Sequence, residues 1–234
     1  MDFHERTVIV TGASGHLGRA VAAAFAAQGA RLVLAARSKA TLDAAFGEES
    51  AARAHVAADL TRSADAQALA AQALDRFGRI DVLVNAAGGF RAGEPVHETT
   101  DETWRFLFDI NARTMLCASR AVVPAMLARG AGGIISVAAS AALKGTAGIG
   151  AYSASKAVVV RLTESMSAEL RERGINVNCV LPTTLDTPEN RKAMPDVDPS
   201  RFVALLDLAR IIVFLASPTA RPIHGAAIPV TGLR

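Results

Sequence analysis

The chain has 234 residues, 51% hydrophobic and 20% charged, with a mean hydropathy of +0.28, which bounds it as a core-rich globular protein long enough for one large α/β domain. A net charge of +3 is too mild and too dispersed for a nucleic-acid partner, and Cys117 and Cys179, both in apolar runs, read as small core residues in a reducing compartment. The longest stretch without Asp, Glu, Lys or Arg, residues 130–143, is shorter than the ~20 apolar residues of a membrane span, and Met1-Asp-Phe-His-Glu-Arg6 lacks an apolar signal-peptide core, so no membrane and a cytoplasmic location are expected.

Short β-branched runs alternate with alanine-rich helical stretches. Residues 7–10 predict a strand feeding a glycine turn, 15–28 a helix, and 31–35 a second strand. A short helix begins at Leu42. A third strand at 54–57 ends at Asp59, with Ser63 as the best-placed cap of a helix over 64–77. Residues 80–84 predict a fourth strand and 103–128 one long helix, with Pro124 as a late kink. A fifth strand at 133–137 precedes a helix over 152–172, ended by Gly174. A sixth strand at 175–181, a helix over 202–216 and a seventh strand at 226–230 complete the pattern. Repeated β-α units imply right-handed crossovers and a doubly wound, seven-stranded parallel sheet with helices on both faces, in a single domain spanning residues 1–234. The least regular segment, residues 182–200, is proline-punctuated and long enough to be a lid.

The turn Thr11-Gly-Ala-Ser-Gly-His-Leu-Gly18 lies between a strand and a helix. Gly12, Gly15 and Gly18 suit a tight turn, close approach of backbone to a pyrophosphate, and close helix–strand packing. Free N–H groups at the helix start, around Ser14, His16 and Leu17, would receive the phosphates. A bare βα turn with no ligand has the same glycines; the flanking strand and helix favour a dinucleotide. NAD-binding chains carry an acid at the end of the second strand, ~20 residues past the glycines. Here residues 31–40 contain no Asp or Glu, and Arg37 stands just past the strand. Its guanidinium suits a 2′-phosphate, so NADP(H) is expected over NAD(H), although a merely solvated arginine would look the same. Asp59-Leu60 could meet the adenine amino group. Asn85-Ala86-Ala87-Gly88 ends the fourth strand with small residues across which a cofactor could lie.

Tyr152 and Lys156, four apart on a predicted helix, project from one face. A free phenol titrates near ~10, and a neighbouring ammonium is expected to pull that value down. The spacing alone is weakly specific, but Tyr152 is the only tyrosine of the chain and follows a flexible glycine-rich stretch.

With these motifs in place, the chain resembles the short-chain dehydrogenase/reductases over nearly its whole length. The resemblance rests on the glycine turn, Asp59, Asn85-Ala-Ala-Gly88, Asn111 in Phe-Asp-Ile-Asn, Tyr152-x-x-x-Lys156, and Asn176-Val-Asn-Cys-Val-Leu-Pro182. It implies a Rossmann fold and an NAD(P)-dependent oxidoreductase, with Tyr152 as acid/base, Lys156 tuning it and holding ribose, and Asn111 holding a relay water. Pro182, Leu185 and Thr187 would border the cofactor. It also implies a homodimer or homotetramer, paired through the two long helices, and a small-molecule substrate.

Three departures stand out. The family serine, thirteen residues before the tyrosine, is Ala139 here, with Ser140 one place on. His16 stands where a glycine is commonest, and Thr183 replaces the usual glycine after Pro182. The second half also resembles the dihydropteridine reductases, through Ala87-Gly-Gly-Phe90, Ala141-Ala-Leu-Lys-Gly-Thr-Ala147 and Leu181-Pro-Thr-Thr-Leu-Asp-Thr-Pro-Glu-Asn-Arg-Lys-Ala-Met-Pro-Asp196. Those enzymes also lack the serine. The leading expectation is an NADPH-preferring reductase of a small conjugated or cyclic substrate, flanked by Phe90, Trp104 or the 182–200 loop. The alternatives are a 3-oxoacyl or ketone reductase using Ser140, and a non-catalytic cofactor-binding redox sensor. No metal site is expected.

Overall fold

Strands β1 (Thr7–Thr11), β2 (Arg31–Ala36), β3 (Arg53–Ala57), β4 (Val82–Asn85), β5 (Gly132–Val137), β6 (Ile175–Pro182) and β7 (Ala227–Val230) form one sheet in the computed structural model, which describes residues 1–232. The order is β3-β2-β1-β4-β5-β6-β7, and every pairing is parallel. The chain reverses its direction of winding between β1 and β4, so a crevice opens at their carboxyl ends, where doubly wound sheets bind ligands. Both faces of the sheet are covered. In β1, Val8 and Val10 pack into the apolar cluster shared with Val21 and Phe25 of helix α1 (His16–Ala26) and Leu208 and Ile212 of α8 (Leu205–Leu215). Ile9, one residue out of phase, packs with Leu69 of α3 (Ser63–Phe77) and Val122 of α5 (Thr114–Arg129) on the other face. Cys117 and Cys179 are buried free thiols in this core.

Several boundaries differ from the sequence reading. The expected helix over 103–128 is two helices: α4 (Asp101–Phe108), capped by the Thr100 side chain, and α5. One π-helical turn, Asp109–Arg113, joins them. The π turn, Asp-Ile-Asn-Ala-Arg, contains no Gly or Pro, so no local stop signal marks it in the sequence. Pro124 lies inside α5. Helix α6 (Gly150–Leu170) starts before Tyr152 and gives way to a 3₁₀ turn, Arg171–Arg173, before Gly174. Helix α2 (Lys39–Phe46) starts ahead of Leu42. The residue capping α3 is Arg62, not Ser63, whose hydroxyl instead lies 3.6 Å from the Cys117 sulfur. The segment over 182–200 is not an open loop. It contains α7 (Pro188–Ala193), capped by the Thr187 hydroxyl at the Asn190 N–H, and a 3₁₀ turn, Pro199–Arg201.

Candidate active site

The glycine turn is shaped by close contact on two sides. Gly12 has φ +63°, and a Cβ there would stand 2.8 Å from the Ala87 backbone. A Cβ on Gly18 would stand 2.7 Å from the Ala13 Cα, so α1 can pack this tightly only on glycine. Helix α1 then starts with Gly15 in extended geometry and no side chain capping it, which leaves its first N–H groups for an anion. Leu17 is buried beneath, the Ser14 carbonyl accepts from Arg19 (2.9 Å), and His16 is exposed, its Nε2 3.1 Å from the Glu189 carboxylate of α7. The Thr11 hydroxyl accepts from the Ala86 and Ala87 N–H groups (3.1 and 3.2 Å) and ties this turn to the end of β4.

At the adenosine end Arg37 is exposed and makes no ion pair among the described residues, whereas nearby Lys39 is bound to Glu49. The Asp59 carboxylate accepts from the Thr61 N–H (3.1 Å) and hydroxyl (2.8 Å), and these bonds lower its pKa, with Arg62 and Arg37 adding to the effect. Leu60 beside it is buried. Asn85, expected to border the cofactor, has its side chain buried in the sheet, its amide donating to Ser136 (3.2 Å).

The chemical residues come from three elements. Helix α6 carries Tyr152 and Lys156. Lys156 is buried, its Nζ donating to the Val137 carbonyl at the end of β5 (3.0 Å), and burial lowers its pKa to about 8. Tyr152 behaves opposite to the expectation: burial pushes the phenol up to about 12, because desolvation opposes the phenolate. Its ring meets Phe90 edge to face at 4.8 Å, and Phe90 itself is 60% exposed. Asn111, in the π turn, is bonded both ways to Gly89 (Gly89 N–H to Oδ1 and Nδ2 to the Gly89 carbonyl, each 3.0 Å). Its Nδ2 also donates to Ser155 (3.0 Å), whose hydroxyl donates to the Tyr152 carbonyl (2.8 Å). Ser155 is thus a positioning residue that the sequence reading passed over, although it sits in the Tyr-Ser-Ala-Ser-Lys motif one residue before the lysine; its hydroxyl is fully buried. A Cβ on Gly88 would stand 3.1 Å from Asn111 Oδ1 and 3.2 Å from Lys156 Nζ, so the strip at the end of β4 runs directly against these groups.

Ala139 is buried at the register of the absent serine, and Ser140 opens a 3₁₀ turn, Ser140–Ala142. Trp104, expected to flank a substrate, is 48% exposed and stacks on Phe108 at 4.1 Å. Leu185 bridges to Val203, and the Thr187 hydroxyl is occupied as a helix cap. Pro182 ends β6, and after it the Thr183 hydroxyl is buried with no hydrogen-bond partner. Among the described residues no group of three His, Cys, Asp or Glu side chains is placed to hold a metal, and no helix is long and apolar enough to cross a membrane. The glycine cradle and the bare strip at Gly88 fit a dinucleotide laid across the strand ends, reaching from Arg37 to Tyr152.

Such a crevice beside a Tyr–Lys pair defines a nicotinamide-dependent dehydrogenase. Residues 6–198 match the family model described as short chain dehydrogenase. The chain is 37% identical over 239 residues to a galactitol 2-dehydrogenase (L-tagatose-forming) of Cereibacter sphaeroides, covering 95% of this chain and 92% of that one. It is 34% identical over 247 residues to a sorbitol dehydrogenase of the same organism, covering 97% and 96%. Among solved structures, a 3-ketoacyl-(acyl-carrier-protein) reductase from Brucella melitensis, complexed with NADH, superposes with a TM-score of 0.88 at 30% identity, covering 98% of each chain. The chain belongs to the short-chain dehydrogenase/reductase family and is an oxidoreductase.

Proposed function

We propose that the protein is an NADP(H)-preferring reductase of a small conjugated or cyclic substrate, dihydropteridine-like in kind, acting in the cytoplasm as a homodimer or homotetramer. The observation that carries this reading is Ala139, buried where the family places a serine hydroxyl, beside an otherwise complete Tyr152–Lys156–Asn111 set. A hydroxyl at that place steadies the oxygen of a localised carbonyl. A substrate that takes hydride into a conjugated ring has less need of it. Exposed Phe90, held edge-on against Tyr152, offers such a ring an apolar wall.

When bound, a nicotinamide supplies or accepts hydride. The glycine turn and the start of α1 would hold its pyrophosphate, Arg37 the adenosine 2′-phosphate, and Lys156 the ribose hydroxyls. Tyr152, protonated at neutral pH, donates the proton that completes reduction, and the buried Lys156 favours the phenolate that is left once it turns from Val137 toward the phenol. Asn111 keeps the β4 strip and α6 in register through Gly89 and Ser155.

A second reading is a ketone or polyol dehydrogenase in which Ser140 replaces the missing serine. The names of the relatives favour it. NADPH oxidation with a quinonoid dihydropterin, run against a panel of ketones, separates the two. So does Ser140→Ala: turnover should change less than about tenfold if Tyr152 and Lys156 carry proton delivery alone, whereas loss of an oxyanion donor should cost about 10²–10³. A large Ser140→Ala defect with intact folding and cofactor binding would move the assignment to the second reading.

A further inference from the structure

We infer that His55 is a positioning residue for cofactor choice: through its bond to Asp43 it anchors helix α2, and α2 in turn sets Arg37 for the 2′-phosphate of NADP(H). The backbone before Arg37 is fixed by its neighbours, the Ala35 carbonyl accepting from the Ala13 N–H (3.0 Å) and the Ala36 carbonyl from the Ala58 N–H (2.8 Å). After it, α2 begins at Lys39, so only Arg37 and Ser38 lie between strand and helix. The Arg37 side chain is exposed and has no ion pair among the described residues, so its place follows from where α2 sits. Helix α2 has little of its own to hold it. Leu42 is its one buried residue, Ser38 caps it with no side-chain bond, and its Lys39–Glu49 pair is solvent-exposed and so weak. The remaining tie is at Asp43, whose carboxylate accepts from His55 Nδ1 (2.7 Å). That ring is fully buried on the edge strand β3, and its Nε2 has no partner among the described residues, so the bond to Asp43 is the only one it makes. Its direction follows from the strand: His55 pairs with Leu34, which shares an apolar cluster with Leu42 of α2, while Val56 packs on the other face. A carboxylate only accepts, so the proton lies on Nδ1 and the bond is charge-assisted, stronger than a neutral one. An apolar side chain would fill this buried place without a polar group to satisfy; what the histidine adds is the hold on α2.

This role rests on the reading of Arg37 as the 2′-phosphate ligand, and the test separates the two. NADPH and NADH affinities are measured by nicotinamide fluorescence for the wild type, Asp43→Ala, Asp43→Asn, His55→Leu and Arg37→Ala, and for Asp43→Ala combined with Arg37→Ala. Asp43 is half-exposed and alanine is the better helix former, so Asp43→Ala removes the tie without opening the core. It should weaken NADPH by up to about tenfold and leave NADH unchanged. His55→Leu, which fills the same buried place, should do the same from the other side. Asp43→Asn, whose amide oxygen still accepts, should keep most of the wild-type NADPH affinity. In the Arg37→Ala background Asp43→Ala should cost nothing further, because the two residues act through one contact. Backbone hydrogen exchange over 39–46 in the cofactor-free protein should quicken in Asp43→Ala. A merely structural bond would weaken both cofactors alike, or add its loss to that of Arg37→Ala. Either result, unchanged NADPH affinity in folded Asp43→Ala and His55→Leu, or unchanged exchange over α2, overturns the assignment. If Arg37→Ala alone leaves NADPH affinity as it was, the 2′-phosphate reading fails and this assignment with it.

Discussion

Lys156 gives the cofactor-free protein a stability signature in pH. Its pKa falls from an ordinary 10.5 to about 8 on burial, so the charged form opposes folding. Below pH 8 both folded and unfolded chains carry the proton and the cost is complete, about 3 kcal/mol. Between pH 8 and 10.5 the unfolded chain still binds a proton that the folded one has released, so stability rises with pH. Tyr152 acts in the opposite sense higher up: with its phenol at about 12, the folded chain keeps a proton that the unfolded chain loses above pH 10, and stability falls. Urea unfolding of the wild type and Lys156→Met should therefore differ most below pH 8 and converge toward pH 10; a difference independent of pH would contradict the buried charge. Arg37 sets a second test. Arg37→Asp should weaken NADPH roughly tenfold to a hundredfold, the worth of a charge-assisted pair, and improve NADH. Equal wild-type affinity for the two cofactors would refute the NADP(H) preference.

At the scale of elements, the segment after β6 is the part most suited to move. Helix α7 is short and capped at one end by Thr187. It is braced by the Arg191–Asp186 pair (2.5 and 2.7 Å) and tethered at its base by Asp186 N–H to the Val203 carbonyl and Val203 N–H to the Thr184 carbonyl, at 2.9 and 2.8 Å. Among the described residues its one long-range side-chain tie is Glu189 to His16, both solvent-exposed and so weak. Such a helix can close as a unit on a hinge at residues 184–186 and 203. Backbone hydrogen exchange over 188–201 should slow at least severalfold when cofactor and substrate are both bound. Unchanged exchange, with binding demonstrated, would make it a fixed surface helix. The π turn between α4 and α5 works in the other direction, as a rigid element: its Asn111 is buried and fully bonded, so it holds β4 and α6 at a set distance.

For the whole molecule, Asp81 is the clamp at the end of the sheet opposite the crevice. It is buried, and accepts from the Thr7 N–H of β1 (2.9 Å), from Arg79 (2.7 and 2.5 Å) and from Arg129 at the end of α5 (3.0 Å). These bonds outweigh the desolvation that opposes them and hold its pKa below the ordinary carboxylate value. Its contribution is thus present above the unfolded pKa near ~4 and is lost as pH falls through the lower folded value. Removing one partner of a buried pair costs about 3–5 kcal/mol; both arginines reach solvent, so Asp81→Ala should cost about 2–3 kcal/mol at pH 7 and change NADPH affinity little. Denaturant midpoints for variant and wild type check this, and a loss below ~1 kcal/mol would show that the pairs are no more than surface contacts.

Local patterns in the chain determined the sheet, its parallel sense and the cradle, because β-branched runs, alanine-rich helices and Gly12–Gly15–Gly18 each act over a few neighbouring residues. The Tyr152–Lys156 pair was legible for the same reason: both lie on one turn of one helix. Only the tertiary structure decided the rest. The π turn at Asn111 exists because Gly89 and Ser155 bond that side chain from two distant elements. Asn85 went into the sheet because Ser136 of β5 lies beside it. Tyr152 came out with a raised and not a lowered pKa, because burial by surroundings remote in sequence opposes the phenolate. Solvation and long-range hydrogen bonding depend on which segments meet in space, and no spacing of residues along a chain encodes them directly.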